Sequence, residues 1–402
     1  MTVGDCCASD APKANGGYDL AVIGAGSAGF SAAIAAAELG ANVALVGHGM
    51  IGGTCVNVGC VPSKTMIRAV EAVHHAETAS RFAGIRTDGG IADWAAVVRQ
   101  KDELVSSLRQ AKYFDLLPSY NTVAYREGRA RLTNDGVMVN GEPIKVGKVI
   151  IATGAAAAMP SIPGIENVPY LTSTTALELE KLPKSLLVIG GGYIGCELGQ
   201  MFARAGVKVT IAVRRRLLPD AEPEISTALT KYFTEEGIAV REGLSYREIQ
   251  QAPMGIALLV SAHGRAETIT AERVLITTGR RPNTDDLGLE TAGVARDERG
   301  YIATAAGDEV CVYSINGHLL ARQSTRAATR RPLSALAFCA RDFHVGGLAV
   351  LVTGHAGQLL VWRVASNHEA TPKDAPRWRL ALMATLDAHG AAPITAVHVA
   401  TH

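Results

Sequence analysis

The chain has few aromatic residues and almost no net charge. Phe, Trp and Tyr together make up 5% of its 402 residues, and the formal net charge is +1 at pH 7. A balanced charge argues against a surface dedicated to nucleic acid or to acidic membranes. The start, MTVGDCCASDAPKANGG, is polar and small rather than basic and then apolar, so no secretory signal is expected. These features predict a soluble, cytoplasmic protein without a nucleic-acid or membrane partner.

The sequence also lacks any Cys-x-x-Cys pair, although it contains seven cysteines. In a reducing compartment they are not expected to form a structural disulfide framework. Cys6 and Cys7 are interpreted as incidental residues of a disordered tail over residues 1–17, with a weak soft-metal relay as the alternative. Three more cysteines lie in apolar runs and are predicted to be small buried side chains: Cys196, Cys311 and Cys339.

Glycine is abundant, and two glycine-rich turns each follow an apolar strand and open a helix. In such a turn the first glycine makes the bend, the second lets the backbone approach a pyrophosphate, and the third lets helix pack on strand. Packing alone also produces glycine-rich turns, but the strand–helix–strand context favours two Rossmann-like nucleotide-binding domains. The cofactor-binding glycines are then Gly24, Gly26, Gly29, Gly190, Gly192 and Gly195.

The acid that usually binds a ribose at the end of the second strand is missing from both units. Gly47 followed by His48 stands there in the first unit, and His48 is interpreted as an exposed turn residue. In the second unit the strand VTIAV runs into Arg214-Arg215-Arg216. Arginine suits the 2′-phosphate of NADP, so Arg214 and Arg215 predict NADPH as the cofactor. A solvated basic turn is the alternative.

The segment from Gly52 to Lys64, GGTCVNVGCVPSK, contains two cysteines five positions apart at the apparent start of a helix. A helix start lowers a thiol pKa, so one sulfur can act as a nucleophile and the other can resolve it as a disulfide. Lys64 would add positive charge nearby. Taken by spacing alone, Cys55 and Cys60 are also compatible with inert buried thiols or part of a metal site.

This cysteine segment, with the strand ends ATG and TTGRRPN, resembles the FAD-dependent flavoprotein disulfide reductases, and among them the mercuric reductases. The resemblance implies that Cys55 meets the substrate and that Cys60 lies against the flavin. It places Lys64 beside the flavin's reactive nitrogen, Glu197 as the carboxylate partner of that lysine, and Tyr193 where nicotinamide docks. It implies FAD and NADPH as cofactors and thiol-bound Hg(II), taken up by the two cysteines, as substrate. Lipoamide- or glutathione-linked reductases are the alternatives.

The resemblance also assigns further residues and the domain boundaries. It implies an FAD-binding domain over residues 18–157, an NADPH-binding domain over 158–281 and a truncated return to the FAD domain over 282–303. The remaining cofactor-binding residues that it implies are Gly53, Thr54, Thr153, Gly154, Gly279, Arg280 and Asp308. Asp308 is alternatively an ordinary residue between β-strands.

From residue 304 onward, short strands replace helical patterning, as in VYSINGHLLA, PLSALAF and VLVTGHAGQLLVWRV. This segment resembles WD-repeat blades of BEACH-domain proteins, and it occupies the place where the reductases carry a dimer-interface domain. The predicted fold class is therefore α/β, with two Rossmann-like domains followed by a short all-β, WD-repeat-like segment. The usual family homodimer is not expected. A fusion that binds a protein partner through its blades is the non-enzymatic alternative.

Overall fold

The computed structural model describes residues 17–262, 264–292 and 294, together with seven strands between residues 302 and 387. The chain divides into two compact units. The first holds the described residues within Met1–Gly128, Lys148–Ala152 and Ala156–Arg280, and the second those within Arg129–Gly147, Thr153–Ala155 and Arg281–His402. No helix in the described part of the chain is both long and apolar enough to cross a membrane.

The first glycine turn lies in a β-α-β unit, as predicted. It joins β1 (Tyr18–Ile23) to α1 (Ser27–Glu38), and β2 (Val43–Gly47) then pairs in parallel with β1, Leu20 opposite Val43. Every residue of β2 is buried, which explains the unbroken apolar run in its sequence.

A helical region interrupted by short turns follows β2. Its helices are α2 (Gly53–Val58), α3 (Cys60–Thr78) and α4 (Trp94–Arg109), and a π-helical turn over Gln110–Phe114 continues α4. Short 3₁₀ turns occupy Ala79–Arg81 and Leu117–Ser119. Asp93 caps α4 by accepting a hydrogen bond from the Ala96 amide, so the chain between α3 and α4 ends in a defined helix start.

Short strands complete this half of the chain. They are β3 (Val123–Glu127), β4 (Ala130–Thr133), β5 (Gly136–Val139), β6 (Glu142–Ile144), β7 (Val146–Ile151) and β8 (Ala155–Ala157). The order β3-β2-β1-β7 forms one sheet, and β4-β5-β6 form an antiparallel sheet of the second unit. Asn140-Gly141, a dipeptide typical of hairpin turns, joins β5 to β6, with φ of 51° and 89° at its two residues.

The second glycine turn repeats the architecture of the first. Its elements are a 3₁₀ turn at Ile165–Asn167, β9 (Tyr170–Leu171), α5 (Ser173–Ala176), β10 (Ser185–Ile189), α6 (Tyr193–Arg204), β11 (Lys208–Ala212), α7 (Pro223–Glu235) and β12 (Ala239–Arg241). The chain continues through β13 (Leu244–Ala252), β14 (Gly255–Ala262), β15 (Arg265–Ala271), β16 (Arg273–Ile276) and β17 (Arg280–Pro282). A parallel sheet has the order β12-β11-β10-β16-β9, and β13-β14-β15 form an antiparallel sheet that the sequence analysis did not predict.

One hydrophobic core joins the two glycine-turn halves. Met66 and Val70 of α3 and Trp94 of α4 belong to the same buried cluster as Phe202 of α6. The Trp94 indole nitrogen also donates a 2.7 Å hydrogen bond to the Leu179 carbonyl. The helix that begins at Cys60 is therefore packed on the helix that follows the second glycine turn.

The C-terminal strands pair antiparallel in two sheets. They are β18 (Ile302–Ala306), β19 (Glu309–Tyr313), β20 (Leu319–Ser324), β21 (Leu333–Phe338), β22 (Val350–His355), β23 (Gln358–Ser366) and β24 (Trp378–Asp387). Strand β24 was not predicted. The sequence pattern of APITAVHV also predicts a strand, and that of residues 367–377 predicts a loop, but both segments lie outside the described residues. The likeness to WD-repeat blades stays a prediction.

Candidate active site

The first glycine turn has the backbone geometry of an anion-binding helix start. Gly24 has φ of 118°, and a Cβ on Gly29 would lie 1.7 Å from the Gly24 carbonyl oxygen, so helix and strand touch through backbone. Gly26 caps α1 with no side-chain hydrogen bond, and α1 has no acidic residue in its first turn. The free amides at this end can therefore receive a pyrophosphate.

The second glycine turn has the same geometry. Gly190 has φ of 113°, and a Cβ on Gly195 would lie 2.2 Å from the Gly190 carbonyl oxygen. Gly192 caps α6 without a side-chain partner, and a Cβ there would meet nothing within 4 Å. Both turns thus fit nucleotide phosphates, as the sequence predicts for FAD at the first turn and a nicotinamide dinucleotide at the second.

At Gly47, the residue position that usually carries the ribose-binding acid, neighbouring side chains leave no room for a Cβ. A Cβ on Gly47 would lie 2.7 Å from the Ala25 Cβ and 2.8 Å from the Tyr125 hydroxyl oxygen. The absence of an acid there is therefore a packing requirement of this chain. His48 is exposed, as predicted for a turn residue.

Two glycines press the cysteine segment against the first glycine turn. The Gly52 amide donates a 2.8 Å hydrogen bond to the Ala25 carbonyl, and a Cβ on Gly53 would lie 2.6 Å from the Gly26 Cα. Both residues have positive φ, 98° at Gly52 and 66° at Gly53, which favours glycine. The start of α2 is thereby fixed beside the predicted phosphate site, and Thr54 lies in the first turn of that helix.

Cys55 and Cys60 lie on different helices and meet in space. Cys55 is in α2 and Cys60 begins α3, with Gly59 between the two helices. Both thiols are free and exposed, and the side chain and backbone amide of Cys60 lie near enough to Cys55 to shift the pKa of its thiol. The predicted partnership of the two sulfurs therefore agrees with the geometry.

A lowered thiol pKa was predicted for one of the two sulfurs, and the shift at Cys55 in this dithiol form has the opposite direction. The sulfur is partly shielded from water although the residue is exposed, and this partial burial raises its pKa; interaction with the Cys60 side chain raises it further. The backbone amide of Cys60 and the charge of Lys112 act in the opposite direction without reversing the shift. Cys55 lies in the first turn of α2, so the helix start alone does not decide the direction of its shift.

Sequence reasoning missed three residues around this segment, two that hold it by hydrogen bonds and one that places a positive charge near Cys55. Asn57 donates hydrogen bonds to the carbonyls of Ile51 and Gly53, and Arg109 donates a 3.0 Å hydrogen bond to the Asn57 side-chain oxygen. Lys112, in the π-helical turn, is the cation that acts on Cys55. A π-helical turn has no sequence signature, so the position of Lys112 could not be predicted.

Lys64 and Glu197 form the ion pair that the resemblance implies. The Lys64 ammonium on α3 donates a hydrogen bond to the Glu197 carboxylate on α6, and both side chains are about half exposed. Tyr193, the first residue of α6, is 73% exposed and precedes Glu197 by one helical turn. Cys196 is buried beside them, and burial raises its pKa to about 11, so it stays a thiol at neutral pH.

The predicted residues at the strand ends fall in both units. Gly279 has φ of 139° and accepts a 2.9 Å hydrogen bond from the Ala158 amide, and burial lowers the pKa of Arg280. In the second unit, Asn283 donates hydrogen bonds to the carbonyls of Thr153 and Gly154. Four predicted positions lie outside the described residues: Asp308, Cys6, Cys7 and Cys339.

The described residues contain no cluster of three or more His, Cys, Asp or Glu side chains that could hold a metal ion. The predicted metal contact at Cys55 and Cys60 therefore consists of two thiols only. Such a pair suits a soft ion that is bound transiently as a substrate.

Residues 18–315 match the family described as pyridine nucleotide-disulphide oxidoreductase. A mercuric reductase from Staphylococcus aureus is 46% identical over 291 residues, which is 72% of this chain and 53% of that protein. A mercuric reductase from Streptomyces lividans is 42% identical over 344 residues, covering 79% of this chain and 72% of that protein. The match to the family extends beyond residue 303, where the sequence analysis ended the likeness.

Among solved structures, the HOCl-induced flavoprotein disulfide reductase RclA from Escherichia coli superposes with a TM-score of 0.62 at 31% identity. The similarity covers 72% of this chain and 62% of that one. The chain spans about half the length of the Staphylococcus aureus relative. The likeness therefore concerns the part of those proteins that carries the glycine turns and the cysteine pair.

Proposed function

This chain belongs to the pyridine nucleotide-disulphide oxidoreductase family, and we propose that it is an NADPH-dependent flavoprotein that reduces Hg(II) through a Cys55–Cys60 disulfide. The observation that carries the proposal is the proximity of the two thiols. Their helices are joined to the first glycine turn and, through the ion pair of Lys64 with Glu197, to the helix that follows the second. No other arrangement in the described residues combines two glycine-capped helices with a pair of exposed thiols.

Family members of this type use FAD and NAD(P)H, and the residues of this chain fit both. Gly24 and Gly26, in the turn before α1, and Gly53, which packs on Gly26, would hold the pyrophosphate of FAD. Gly190 and Gly192 would hold the phosphates of NADPH. FAD, when bound, supplies the means of passing the two electrons of a nicotinamide hydride to the disulfide.

The side chains around the cysteines have separable tasks in this proposal. Lys64, held by the Glu197 carboxylate, places a positive charge beside the reacting centre. Tyr193, exposed at the start of α6, covers the place where the nicotinamide docks. Lys112 favours the thiolate of Cys55 after reduction.

The proposed cycle has two steps, reduction of the Cys55–Cys60 disulfide and reduction of Hg(II), and each conserves electrons and protons. Reduction breaks the S–S bond, takes up two electrons and two protons, and leaves two thiols; NADPH supplies a hydride and solvent supplies one proton. Bound Hg(II) then receives two electrons, giving Hg(0), while the two sulfurs lose their protons and form the disulfide again. Soft thiolates bind Hg(II) strongly, which supports this acceptor over an oxygen-ligated metal.

The proposal includes the domain boundaries at residues 157, 281 and 303 and a reducing, cytoplasmic location. In the family likeness, thiol-linked substrates such as lipoamide or glutathione use the same cysteine pair, so they are the competing acceptors. We also propose that residues 304–402 form WD-repeat-like blades that take the place of the interface domain and bind a protein partner.

The test measures NADPH oxidation by the FAD-saturated full chain, with Hg(II) supplied in excess thiol. Cys55→Ser and Cys60→Ser are each expected to reduce the Hg(II)-dependent rate to background, because either change removes the disulfide. Cys196→Ala is the matched control, since that thiol is buried with a pKa of about 11 and should leave the rate unchanged.

A cysteine variant that retains the wild-type rate would refute the proposed role of the pair. A rate that depends on lipoamide or glutathione disulfide, and not on Hg(II), would keep the disulfide mechanism and reject mercury as the substrate.

A further inference from the structure

The three arginines after β11 make different contacts. Arg216 donates hydrogen bonds to the carbonyls of Pro219 and Ala221, at 3.3 and 2.8 Å, and so holds its own loop. Arg215 is 73% exposed, with Asp220 4.0 Å away. The Arg214 guanidinium instead lies over the ring of Tyr246, 5.2 Å from the ring centroid. One of the three guanidinium groups is therefore held by an aromatic face.

Tyr246 is itself fixed at the end of β11. Its hydroxyl donates a 2.8 Å hydrogen bond to the carbonyl of Ala212, the last residue of that strand. The pairing of β13 with β14 shifts register between Tyr246 and Glu248, and such bulges change the direction in which side chains point. Burial raises the pKa of Tyr246 to about 12, so the hydroxyl remains a donor at neutral pH.

The backbone on either side of Arg214 is also held in place. The Val213 amide donates to the Arg241 carbonyl at 2.9 Å, and the Gly243 amide donates to the Arg215 carbonyl at 3.1 Å. With the main chain fixed, the position of the guanidinium depends on what the side chain packs against. Here that surface is the ring of Tyr246.

Val213 occupies the position of the acid that would bind a ribose 2′-hydroxyl. It directly follows Ala212, whose carbonyl accepts a hydrogen bond from the Gly190 amide, and it is 3% exposed. A Cβ on Gly191 would lie 2.6 Å from the Val213 Cγ1, so this side chain packs against the glycine turn. The end of β11 thus has a buried aliphatic residue in place of a carboxylate, followed by a positioned guanidinium.

We propose that Tyr246 is a positioning residue for the nucleotide, holding the Arg214 guanidinium where the 2′-phosphate of NADPH binds. This inference rests on the proposed use of NADPH. An arginine that is already ordered loses less side-chain freedom when the phosphate binds, so the ring increases affinity for the phosphorylated ribose alone. Tyr246 does not itself touch the nucleotide in this account.

The experiment compares two ligands by isothermal titration calorimetry with the FAD-saturated full chain: 2′-phospho-ADP-ribose and ADP-ribose. Tyr246→Leu is expected to weaken binding of the phosphorylated ligand about two- to fivefold, the range for a cation–π contact at an exposed site. Binding of ADP-ribose should not change. Tyr246→Phe keeps the ring and should keep most of the preference.

Arg214→Gln should weaken the phosphorylated ligand more strongly, and Tyr246→Leu should add no further loss in that background, because the two residues act through one another. Tyr246→Met provides a second ringless variant of flexible shape if the leucine variant does not fold.

An equal loss for both ligands, or an additive loss in the Arg214→Gln background, would show that Tyr246 only supports the domain. Unchanged discrimination in both ringless variants would also overturn the inference. If the wild-type chain shows no preference for the phosphorylated ligand, the proposed use of NADPH is wrong. If the wild type has that preference and the ringless variants keep it, only the proposed role of Tyr246 is wrong.

Discussion

Two glycines of the first turn, Gly26 and Gly29, have different tasks, and alanine substitutions separate them. A Cβ on Gly29 would lie 1.7 Å from the Gly24 carbonyl oxygen and 2.9 Å from its carbon, so α1 would have to move away from the turn. A Cβ on Gly26 would lie 3.4 Å from its nearest neighbour, the Gly53 Cα, and the φ of −88° at Gly26 suits alanine.

The magnitude follows from two opposing effects at Gly29. Overpacking costs about 1–3 kcal/mol, and this contact is at the severe end of that range. Alanine recovers up to about 1 kcal/mol through its helix propensity. We therefore expect a net loss of about 2 kcal/mol, which corresponds to about 4–8 °C in Tm for a domain of this kind.

The assay is thermal unfolding of the FAD-free protein followed by circular dichroism, so that ligand binding does not contribute to Tm. Gly29→Ala should lower Tm by the stated amount, whereas Gly26→Ala should leave it nearly unchanged. In a flavin titration, Gly26→Ala should bind FAD more weakly than the wild type although its fold is stable. The added methyl group would lie where the pyrophosphate approaches the backbone. A Gly29→Ala protein as stable as wild type, or a Gly26→Ala protein with wild-type FAD affinity, would refute the reasoning.

Three further predictions concern the charges and the core. Glu197→Gln should lower the free energy of unfolding by less than about 1 kcal/mol in urea titrations, because both partners of its ion pair with Lys64 are about half exposed, yet it should slow Hg(II)-dependent NADPH oxidation. Because the pKa of Cys55 is raised, iodoacetamide should alkylate it more slowly than free cysteine near neutral pH, and the rate should increase as pH rises. Lys112→Met should lower the alkylation rate further, whereas Lys112→Arg, which keeps the charge, should leave it unchanged. Phe202→Ala, which empties a fully buried site, should lower the free energy of unfolding by about 3–5 kcal/mol, and a loss below 1 kcal/mol would contradict the assigned core.

The β-α-β units could be predicted because each of their features is local. The apolar run of β2 and the helix after Gly26 depend on residues within a few positions of one another. The meeting of Cys55 with Cys60 was also within reach, since four residues separate them along the chain. Local patterns predicted these parts well.

Contacts between distant residues were not accessible in this way. The stacking of Arg214 on Tyr246 depends on the antiparallel sheet β13-β14-β15, which the sequence analysis did not identify. Lys112, whose charge acts on Cys55, lies in a π-helical turn that continues α4. The raised pKa of Cys55 reflects burial, which a helix-start argument does not include.

The core shared by α3, α4 and α6 joins the two nucleotide folds. Met66, Val70, Trp94 and Phe202 contribute to one buried cluster, although they come from the two copies of a repeated architecture. The backbone amides of α3 and α6 should therefore exchange with heavy water at similarly low rates, because the two helices open as one cooperative unit. If the two copies were expressed as separate fragments, each would expose an apolar helix face and should aggregate. The two copies are therefore not expected to fold as independent domains.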